Sequence, residues 1–435
     1  MKKIKRLFAI MIFAGMSLVV SAQEGAWNGE IEVQGMKLPL VFNFSSDGCT
    51  LDSPSQGAKG IKAEKETLEG GKIRVKIPMA RAVFEGTMEG EGIKGTFTQN
   101  GMSFPMTLLP GTPRVNRPQT PVAPFPYTTE EVSFCNGDYI FNGTLTMPKN
   151  SDKNTKVVLM VTGSGQQNRD EEVFGHKPFA VIADALAREG IASLRYDDRG
   201  YGDSTVVFSN FTTDDFKQDA EAGLCFLRKR FKRVGVLGHS EGGTIAFMLA
   251  IEGKADFVVS MAGMAVSGKE TLLMQNRIGL APLGLPEETV DAYCKSLSDA
   301  FDTLAGGKSV QDVDRKNVPL LLRQMFEMAM KQADTPFMRH IFSLDIRQEL
   351  PKITCPVLAM NGKKDMQVDC EKNISALQDG LLNCKPTIVP FDGLNHLFQH
   401  CTTGNVIEYQ QIEETISVDA LKTILDYIRN LDLQR

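Results

Sequence analysis

The feature that most constrains the fold of this chain is a regular alternation of strand-like and helix-like segments that begins near residue 127. Continuous apolar runs at residues 156–161 and 234–237 are typical of strands buried on both faces of a parallel sheet. Helical patterns separate such runs, for example at residues 179–188. This alternation predicts a mostly parallel sheet with helices on both faces over residues 127–435.

A helical stretch interrupts the alternation between residues 264 and 350. It is rich in methionine, and Pro282, Pro286 and Pro319 divide it. Because it separates two sheet strands, we expect it to form a lid above the carboxyl ends of the strands. Methionine side chains are flexible, so they suit the core of such a lid or a wall that adapts to varied apolar groups.

The first part of the chain predicts a separate, smaller domain. Residues 26–109 contain six short strand patterns separated by turn signals such as Asn100-Gly101. That spacing is typical of an antiparallel meander that closes, or nearly closes, into a barrel. A structural or docking role is favoured over binding of a small ligand inside the barrel. Six prolines between residues 110 and 126 predict an extended, semi-rigid linker to the second domain.

The N-terminus has the pattern of a secretory signal. Four basic residues among the first six precede an apolar run at residues 7–20, and small residues follow it up to Ala22. We therefore expect residues 1–22 to be a signal peptide, and the mature chain to be exported to the periplasm or the extracellular space. The apolar run is shorter than the roughly 20 residues that a membrane span needs. No later run is long and apolar enough, so the mature chain is expected to have no membrane span.

Composition narrows the classes of function. The formal net charge is −5 and no long basic run is present, which argues against nucleic acid as a partner. No His-Glu-x-x-His pattern or other metal-ligand spacing occurs, so the sequence predicts neither a metal nor a cofactor. The eight cysteines include no Cys-x-x-Cys pair, and most are expected to be buried apolar residues. A disulfide among Cys370, Cys384 and Cys401 is left open.

The strongest functional signal is the segment Gly238-His239-Ser240-Glu241-Gly242, which fits the pattern G-x-S-x-G. It follows an apolar strand pattern and opens a helical one. In that context the serine lies on a tight turn that exposes its hydroxyl, and flanking glycines avoid clashes with neighbouring backbone. Ser240 is the candidate nucleophile, and the backbone N–H of Glu241 is a candidate donor to a developing oxyanion. We expect the His239 side chain to leave the turn on a different side.

A serine hydroxyl is a weak nucleophile until a base removes its proton. His396 follows the last predicted strand, which is where a fold of this kind delivers its base, and His400 is the alternative. Asp365 lies just past the carboxyl end of a predicted strand and is the candidate third member, giving the chain order Ser, Asp, His. Asp369 is better explained as a helix cap, and Asp392 is too close to His396 on the same loop.

A second oxyanion donor is expected from the loop at residues 162–166, which follows a predicted buried strand. Glycines in this loop allow its backbone to approach a substrate closely. The N–H of Ser164 is the first candidate, and that of Gly165 is the alternative.

Together these segments resemble the α/β-hydrolase superfamily, especially its branch of exported esterases and serine-aminopeptidase-like proteins. The resemblance covers residues 127–435. It is carried by residues 161–165, residues 197–204, the turn at Ser240, Gly362-x-x-Asp365 and Asn395-His396. The family often has His-Gly where this chain has Thr162-Gly163. This departure falls on the loop at residues 162–166, here called the oxyanion loop. The resemblance implies an α/β-hydrolase fold with a helical lid, acting on a small-molecule acyl ester. The N-terminal β domain and its linker are similar to the appended domain of some exported esterases.

Two other functions stay open at this stage. A peptidase of the same branch would need carboxylates near the lid to hold the substrate amine, and Glu287, Glu288, Asp291 and Asp299 could serve. A non-catalytic envelope-binding protein with a relic site is the alternative outside the enzymes. The sequence also leaves open whether the chain forms a homo-oligomer.

Overall fold

The computed structural model describes residues 24–33, 36–46, 48–54, 58–112 and 116–432. The predicted signal peptide, residues 1–22, lies outside these ranges. The chain forms two compact units, one ending at Asn116 and the other beginning at Arg117.

The first unit is a closed antiparallel barrel in which each strand pairs with the next and the first pairs with the last. Its strands are β1 (Gly25–Val33), β2 (Met36–Ser45), β3 (Gly48–Ser53), β4 (Ala58–Thr67), β5 (Lys72–Ile77), β6 (Ala82–Glu89), β7 (Gly92–Gln99) and β8 (Met102–Pro110). Closure leaves no strand edge without a partner. Fully buried side chains, including Phe42, Val75, Phe84 and Leu108, pack in the interior. The predicted β domain is confirmed, with two strands, β3 and β4, added to the six expected.

The second unit contains the predicted parallel sheet, in the order β16-β15-β14-β13-β11-β12-β10-β9. Its strands are β9 (Thr128–Asn136), β10 (Tyr139–Met147), β11 (Lys156–Val161), β12 (Ala192–Tyr196), β13 (Arg233–His239), β14 (Val258–Met261), β15 (Val357–Gly362) and β16 (Pro386–Phe391). The six strands from β11 to β16 are mutually parallel, while β9 and β10 pair antiparallel at one edge. The sheet therefore presents one common carboxyl edge on which side chains from several strands can meet.

Helices cover both faces of this sheet. One face packs against α1 (Pro178–Arg188) and α9 (Val418–Asn430), and the other against α2 (Thr213–Arg228), α3 (Glu241–Ile251) and α8 (Cys370–Gly380). Alternate residues of β11 enter the two cores: Val157 and Leu159 enter one, and Val158 and Met160 enter the other. This period of two explains why the strand is apolar throughout.

The helical insertion follows β14 and precedes β15. Its helices are α4 (Gly268–Leu280), α5 (Glu287–Ala305), α6 (Arg323–Ala333) and α7 (Pro336–Ser343). They build a core of their own around Tyr293, Phe301 and Phe326. Met330 is buried in that core, whereas Met325 and Met328 are exposed, so the methionine-rich pattern serves packing only in part.

The proline-rich segment differs from the predicted linker because its second half is part of the second unit. The Arg117 guanidinium donates hydrogen bonds to the carbonyl oxygens of Phe174 (2.8 Å), Gln410 (2.9 Å) and Ile412 (2.7 Å). Gln119 donates to the carbonyl of Ile416 at 2.8 Å. These contacts reach across up to 297 residues of sequence, so no local pattern announces them.

Two further findings bear on the sequence-based expectations. Within the described part of the chain, no helix is both long and apolar enough to cross a membrane. All eight cysteines, Cys370, Cys384 and Cys401 among them, are free thiols.

Candidate active site

Ser240 lies on the turn between β13 and α3, at the carboxyl edge of the sheet. Its φ of 52° and ψ of −119° form a strained conformation for a residue with a side chain. A Cβ on Gly242 would lie 2.5 Å from the carbonyl oxygen of Thr162, and one on Gly238 would lie 2.6 Å from the nitrogen of Gly243. Both glycines are therefore required by close backbone packing, and that packing holds the turn that presents Ser240.

Asp365 and His396 meet although they lie on different loops. His396 Nδ1 is 2.7 Å from Asp365 Oδ2, and both side chains are buried. Asp365 Oδ1 accepts hydrogen bonds from the backbone N–H groups of Gln367 (2.7 Å) and Val368 (2.9 Å). The Asn361 side chain donates to Oδ2 at 3.1 Å. Because the carboxylate can only accept, Nδ1 carries a proton in this bond, which leaves Nε2 of His396 as the basic nitrogen.

The alternatives to these two residues occupy other positions. His400 is exposed and bonds Glu414 at 2.9 Å. The Asp369 side chain caps α8 by accepting from the N–H of Lys372 at 2.7 Å. Asp392 is exposed and pairs with a neighbouring lysine at 2.8 Å. None of the three bonds to His396 in the described contacts.

Ser240 and His396 both line a cavity of about 480 Å³. The lid forms much of its wall through Thr271, Leu272 and Gln275 of α4 and Phe337, Met338 and Ile341 of α7. Met264, Val406 and Leu397 add apolar surface, and Gln367 and Tyr409 add polar groups. A mostly apolar cavity with a few polar groups is the usual form of a small-molecule site.

The structure places Ser164 in the cavity wall, and its hydroxyl forms a hydrogen bond with the Glu241 side chain. Gly165 turns the same loop with a φ of 102°. The Glu241 carboxyl also accepts from Thr213 Oγ1 at 2.6 Å. Burial raises the pKa of Glu241, and these two hydrogen bonds oppose that rise. Ser164 and Glu241, whose backbone N–H groups are the predicted oxyanion donors, are thus joined by a hydrogen bond to the buried Glu241 side chain.

Sequence reasoning missed two carboxyl groups, those of Asp198 and Glu171, that accept hydrogen bonds from this loop. Asp198 accepts from Thr162 Oγ1 and from the N–H of Gln167, each at 2.7 Å. Burial raises the pKa of Asp198 well above its usual range. Glu171 accepts from the N–H of Gly163 at 2.8 Å. For Glu171 the only sequence signal was a run of acidic residues near position 171, which does not distinguish buried acids from exposed ones. Asp198 lies in the segment 197–204 that carries the family resemblance, but no role was assigned to it.

The expectation for His239 was wrong. Its side chain turns toward the candidate base, and the His239 and His396 ring centroids are 4.7 Å apart. His239 Nδ1 lies 2.9 Å from Glu171 Oε1, and Nε2 lies 3.0 Å from the carbonyl oxygen of His396.

Comparisons with known proteins find similarity to proteins named as esterases, hydrolases and peptidases. Residues 176–293 match the family described as "Serine aminopeptidase, S33". Esterase EstD of Thermotoga maritima is 30% identical over 259 residues, which cover 59% of this chain and 57% of that esterase. AB hydrolase superfamily protein YisY of Bacillus subtilis is 28% identical over 199 residues, covering 44% of this chain and 70% of that protein. The chain thus spans little more than half the length of EstD.

Among solved structures, the chain resembles Est1E from Butyrivibrio proteoclasticus, with 15% identity and a TM-score of 0.41 over 68% of this chain and 97% of that one. Proline iminopeptidase from Mycobacterium smegmatis has 16% identity and a TM-score of 0.42 over 69% of this chain and 97% of that one.

The order of the sheet strands, the serine turn after β13 and the lid after β14 give the second unit the α/β-hydrolase fold. YisY carries the same class name, EstD is named an esterase, and the matched family is described as a serine aminopeptidase; this chain joins to the α/β-hydrolase fold an N-terminal eight-stranded barrel.

Proposed function

We propose that this chain is a serine hydrolase that cleaves carboxylic ester bonds, with Ser240 as nucleophile, His396 as base and Asp365 as the residue that orients the base. The observation that carries the proposal is the 2.7 Å bond between Asp365 and His396 at the wall of the cavity that Ser240 also lines. A hydroxyl, an imidazole and a carboxylate in these roles are the parts that nucleophilic acyl transfer requires.

The reaction proceeds in two steps. Nε2 of His396 takes the proton of Ser240 as Oγ attacks the substrate carbonyl, and Asp365 stabilises the resulting imidazolium. The backbone N–H groups of Glu241 and Ser164 bind the oxyanion, and each such donor lowers the barrier by about 3–4 kcal/mol. His396 then protonates the departing alcohol. Water attacks the acyl-enzyme by the same route and frees Ser240.

A serine aminopeptidase reaction is the second candidate, because residues 176–293 match a family with that description. It requires carboxylates that bind the substrate ammonium. Glu287 and Asp291 are exposed and pair with Arg277, and Asp299 is exposed and pairs with Lys295. Glu171 is the one carboxylate in the described lining of the cavity, and it is hydrogen-bonded to the N–H of Gly163 and to His239. These pairings favour the ester reaction.

The central test is Ser240→Ala assayed with p-nitrophenyl acetate and butyrate. We expect kcat/KM to fall by about 10⁴-fold or more, since the variant lacks the hydroxyl that attacks the substrate carbonyl. Ser103→Ala, an exposed serine of β8, is the matched control and should retain full activity. Circular dichroism of both variants separates loss of chemistry from loss of fold. Undiminished hydrolysis by Ser240→Ala would exclude the assignment.

Parallel assays separate the alternatives. Rates with chromogenic aminoacyl amides that exceed those with short acyl esters would favour the aminopeptidase. Failure of a fluorophosphonate probe to label Ser240 would favour a non-catalytic binding protein. A panel of esters from acetyl to long-chain acyl groups, with acetylated sugars, would define the acyl group and the alcohol.

We also propose that the chain is exported, on the strength of the basic and apolar pattern of residues 1–22. The intact mass of the protein recovered from the periplasm or the medium tests this, because cleavage after Ala22 leaves Gln23 as the first residue.

A further inference from the structure

A second buried pair of imidazole and carboxyl groups lies directly beside the candidate base. His239 is 5% exposed and Glu171 is 3% exposed. His239 Nδ1 is 2.9 Å from Glu171 Oε1, and His239 Nε2 is 3.0 Å from the backbone carbonyl oxygen of His396. The two imidazole rings are tilted by 47° with their centroids 4.7 Å apart. His239 therefore touches the loop that carries the base through its backbone as well as through its ring.

The hydrogen-bond partners fix the charge of His239. A carboxylate oxygen and a carbonyl oxygen are both acceptors, whereas a neutral imidazole has a single N–H. With Glu171 as a carboxylate, both bonds form only when His239 is an imidazolium that donates from both nitrogens. Burial alone would lower the pKa of His239, but the charge of Glu171 and its hydrogen bond, with the bond to the His396 carbonyl, raise it above its usual value.

Glu171 extends the contact to the oxyanion loop. The same Oε1 atom that accepts from His239 also accepts from the N–H of Gly163 at 2.8 Å. A Cβ on Gly163 would lie 3.1 Å from Ser240 Cβ, so this loop passes directly over the nucleophile. Glu171 has a φ of 53°, a left-handed conformation that costs about 1 kcal/mol or more and persists only where surrounding contacts hold it. Glu171 Oε1 thus contacts both the oxyanion loop, at Gly163, and His239 beside Ser240. His239 in turn contacts the backbone of His396.

We propose that Glu171 and His239 form an ion pair at neutral pH that positions His396 and the oxyanion loop for the reaction. This inference rests on the proposed function. Neither residue touches the reacting atoms in this role; they act through the backbone of His396 and Gly163. When His239 loses its proton, one of its nitrogens presents a lone pair to an acceptor oxygen, and an attraction becomes a repulsion. Activity therefore declines at alkaline pH as His239 titrates.

Several other ionisable groups surround the pair. His396 and Asp365 face His239 from the base side, and Asp365 also favours its charged form. Asp198 and Glu241 interact with each other beneath the oxyanion loop, and Asp198 also interacts with Glu171. The Tyr409 phenol hydrogen-bonds the backbone of His396. A pH profile of the wild type alone does not assign a limb to one of these groups, so the variants below supply the assignment.

Glu171→Gln is the decisive variant. Its amide oxygen still accepts from Gly163 and His239, but the charge that keeps His239 protonated is gone. We expect the alkaline limb of the kcat/KM profile with p-nitrophenyl butyrate to move to lower pH by about one unit or more. Below that limb, activity should recover toward the wild-type value, with the loss in kcat rather than KM. A purely structural role would lower activity equally at every pH, and an unmoved limb would overturn the proposal.

His400→Gln is the matched control, since His400 is exposed and bonded to Glu414, and its profile should equal that of the wild type. Ring ¹⁵N shifts of the five histidines give a readout that does not need turnover. We expect both nitrogens of His239 to be protonated at pH 7, with the signal assigned through its absence in His239→Gln. A neutral tautomer there would overturn the proposal even if Glu171→Gln does not fold. If the wild type hydrolyses no ester while His239 is doubly protonated, the proposed function fails and the ion pair stands.

Discussion

At the scale of single residues, three buried histidines differ in charge because their partners differ. His239 faces two acceptors and holds two protons, whereas Nδ1 of His396 faces a carboxylate and its Nε2 is left as a base. His176 is fully buried, with Nδ1 3.0 Å from Thr415 Oγ1 and Nε2 2.9 Å from the carbonyl oxygen of Tyr409. Burial and, less strongly, the charge of Arg117 lower the pKa of His176 to about 4, although the bond to the carbonyl opposes them.

This environment predicts a pH-dependent stability that belongs to His176. Its ordinary pKa of 6.5 applies to the unfolded chain, which therefore takes up the proton first as the pH falls. The contribution of the neutral imidazole to the free energy of unfolding is present above pH 6.5 and is lost between pH 6.5 and about 4. By pH 5 the loss amounts to about 2 kcal/mol.

Urea unfolding of the wild type and His176→Gln at pH 7 and pH 5 measures this contribution of His176 to the free energy of unfolding. The variant should be less stable at pH 7 because a buried hydrogen-bonding group is altered, but its stability should fall by about 2 kcal/mol less than that of the wild type between the two pH values. Titration of the buried acids contributes to both proteins and cancels in the comparison. Equal falls in the two proteins would contradict the prediction.

The sequence identifies residues whose role depends on position in a known pattern, and it misses those whose role depends on a distant loop. Ser240, Asp365 and His396 were predicted from a turn motif and from places just past sheet strands. His239 turns toward Glu171, which it contacts at 2.9 Å and whose backbone has a φ of 53°. No spacing in the sequence encodes that conformation, and Glu171 stands between two other acidic residues.

At the scale of elements, the serine turn exists because β13, α3 and the loop after β11 pack backbone against backbone.

Gly242, Gly163 and Gly279 differ in the space around them, and substituting each by alanine therefore gives a graded test of this packing. We expect Gly242→Ala to cost about 3 kcal/mol or more, because its Cβ would collide with carbonyl oxygens that follow β11. Gly163→Ala should cost about 1 kcal/mol in stability but lower kcat, because its Cβ presses on Ser240.

Gly279 in α4 is the matched control, since nothing lies within 4 Å of an added Cβ. Gly279→Ala should stabilise the protein by a few tenths to about 1 kcal/mol through helix propensity. Thermal and urea unfolding of the three variants, with ester hydrolysis at 25 °C, provide the measurements. A Gly242→Ala variant as stable as the wild type would contradict the packing argument.

Regular elements were predicted best where burial on both faces left a simple pattern, as in β11 and β13. The barrel strand β4 was missed because its sequence, AKGIKAEKET, is charged and mostly exposed, so its alternation is weak. The ordered packing of the segment after residue 116 was missed for another reason. Proline content predicts stiffness, but whether a stiff segment spans solvent or lies on a domain is decided by contacts such as those of Arg117 with distant carbonyl oxygens.

At the scale of the whole molecule, the two units keep their cores separate. The barrel core draws its buried residues from between Trp27 and Leu108, and the two sheet cores draw theirs from between Phe134 and Ile428. Every residue of the proposed reaction, and every residue in the described cavity lining, belongs to the second unit. A unit with its own complete core can fold alone.

We therefore expect a fragment of residues 117–435 to fold and to hydrolyse p-nitrophenyl butyrate with a kcat/KM within a few-fold of the full chain. Beginning at Arg117 rather than at residue 127 matters, because Arg117 and Gln119 bond carbonyl groups of the second unit. A fragment of residues 127–435 leaves those groups without their partners and should be less stable by about 3 kcal/mol or more. Calorimetry and ester hydrolysis of both fragments supply the measurements, with Ser240→Ala in the longer fragment as the blank. If the longer fragment is folded but inactive, the barrel contributes to the reaction itself, and the assignment of the whole site to the second unit is wrong.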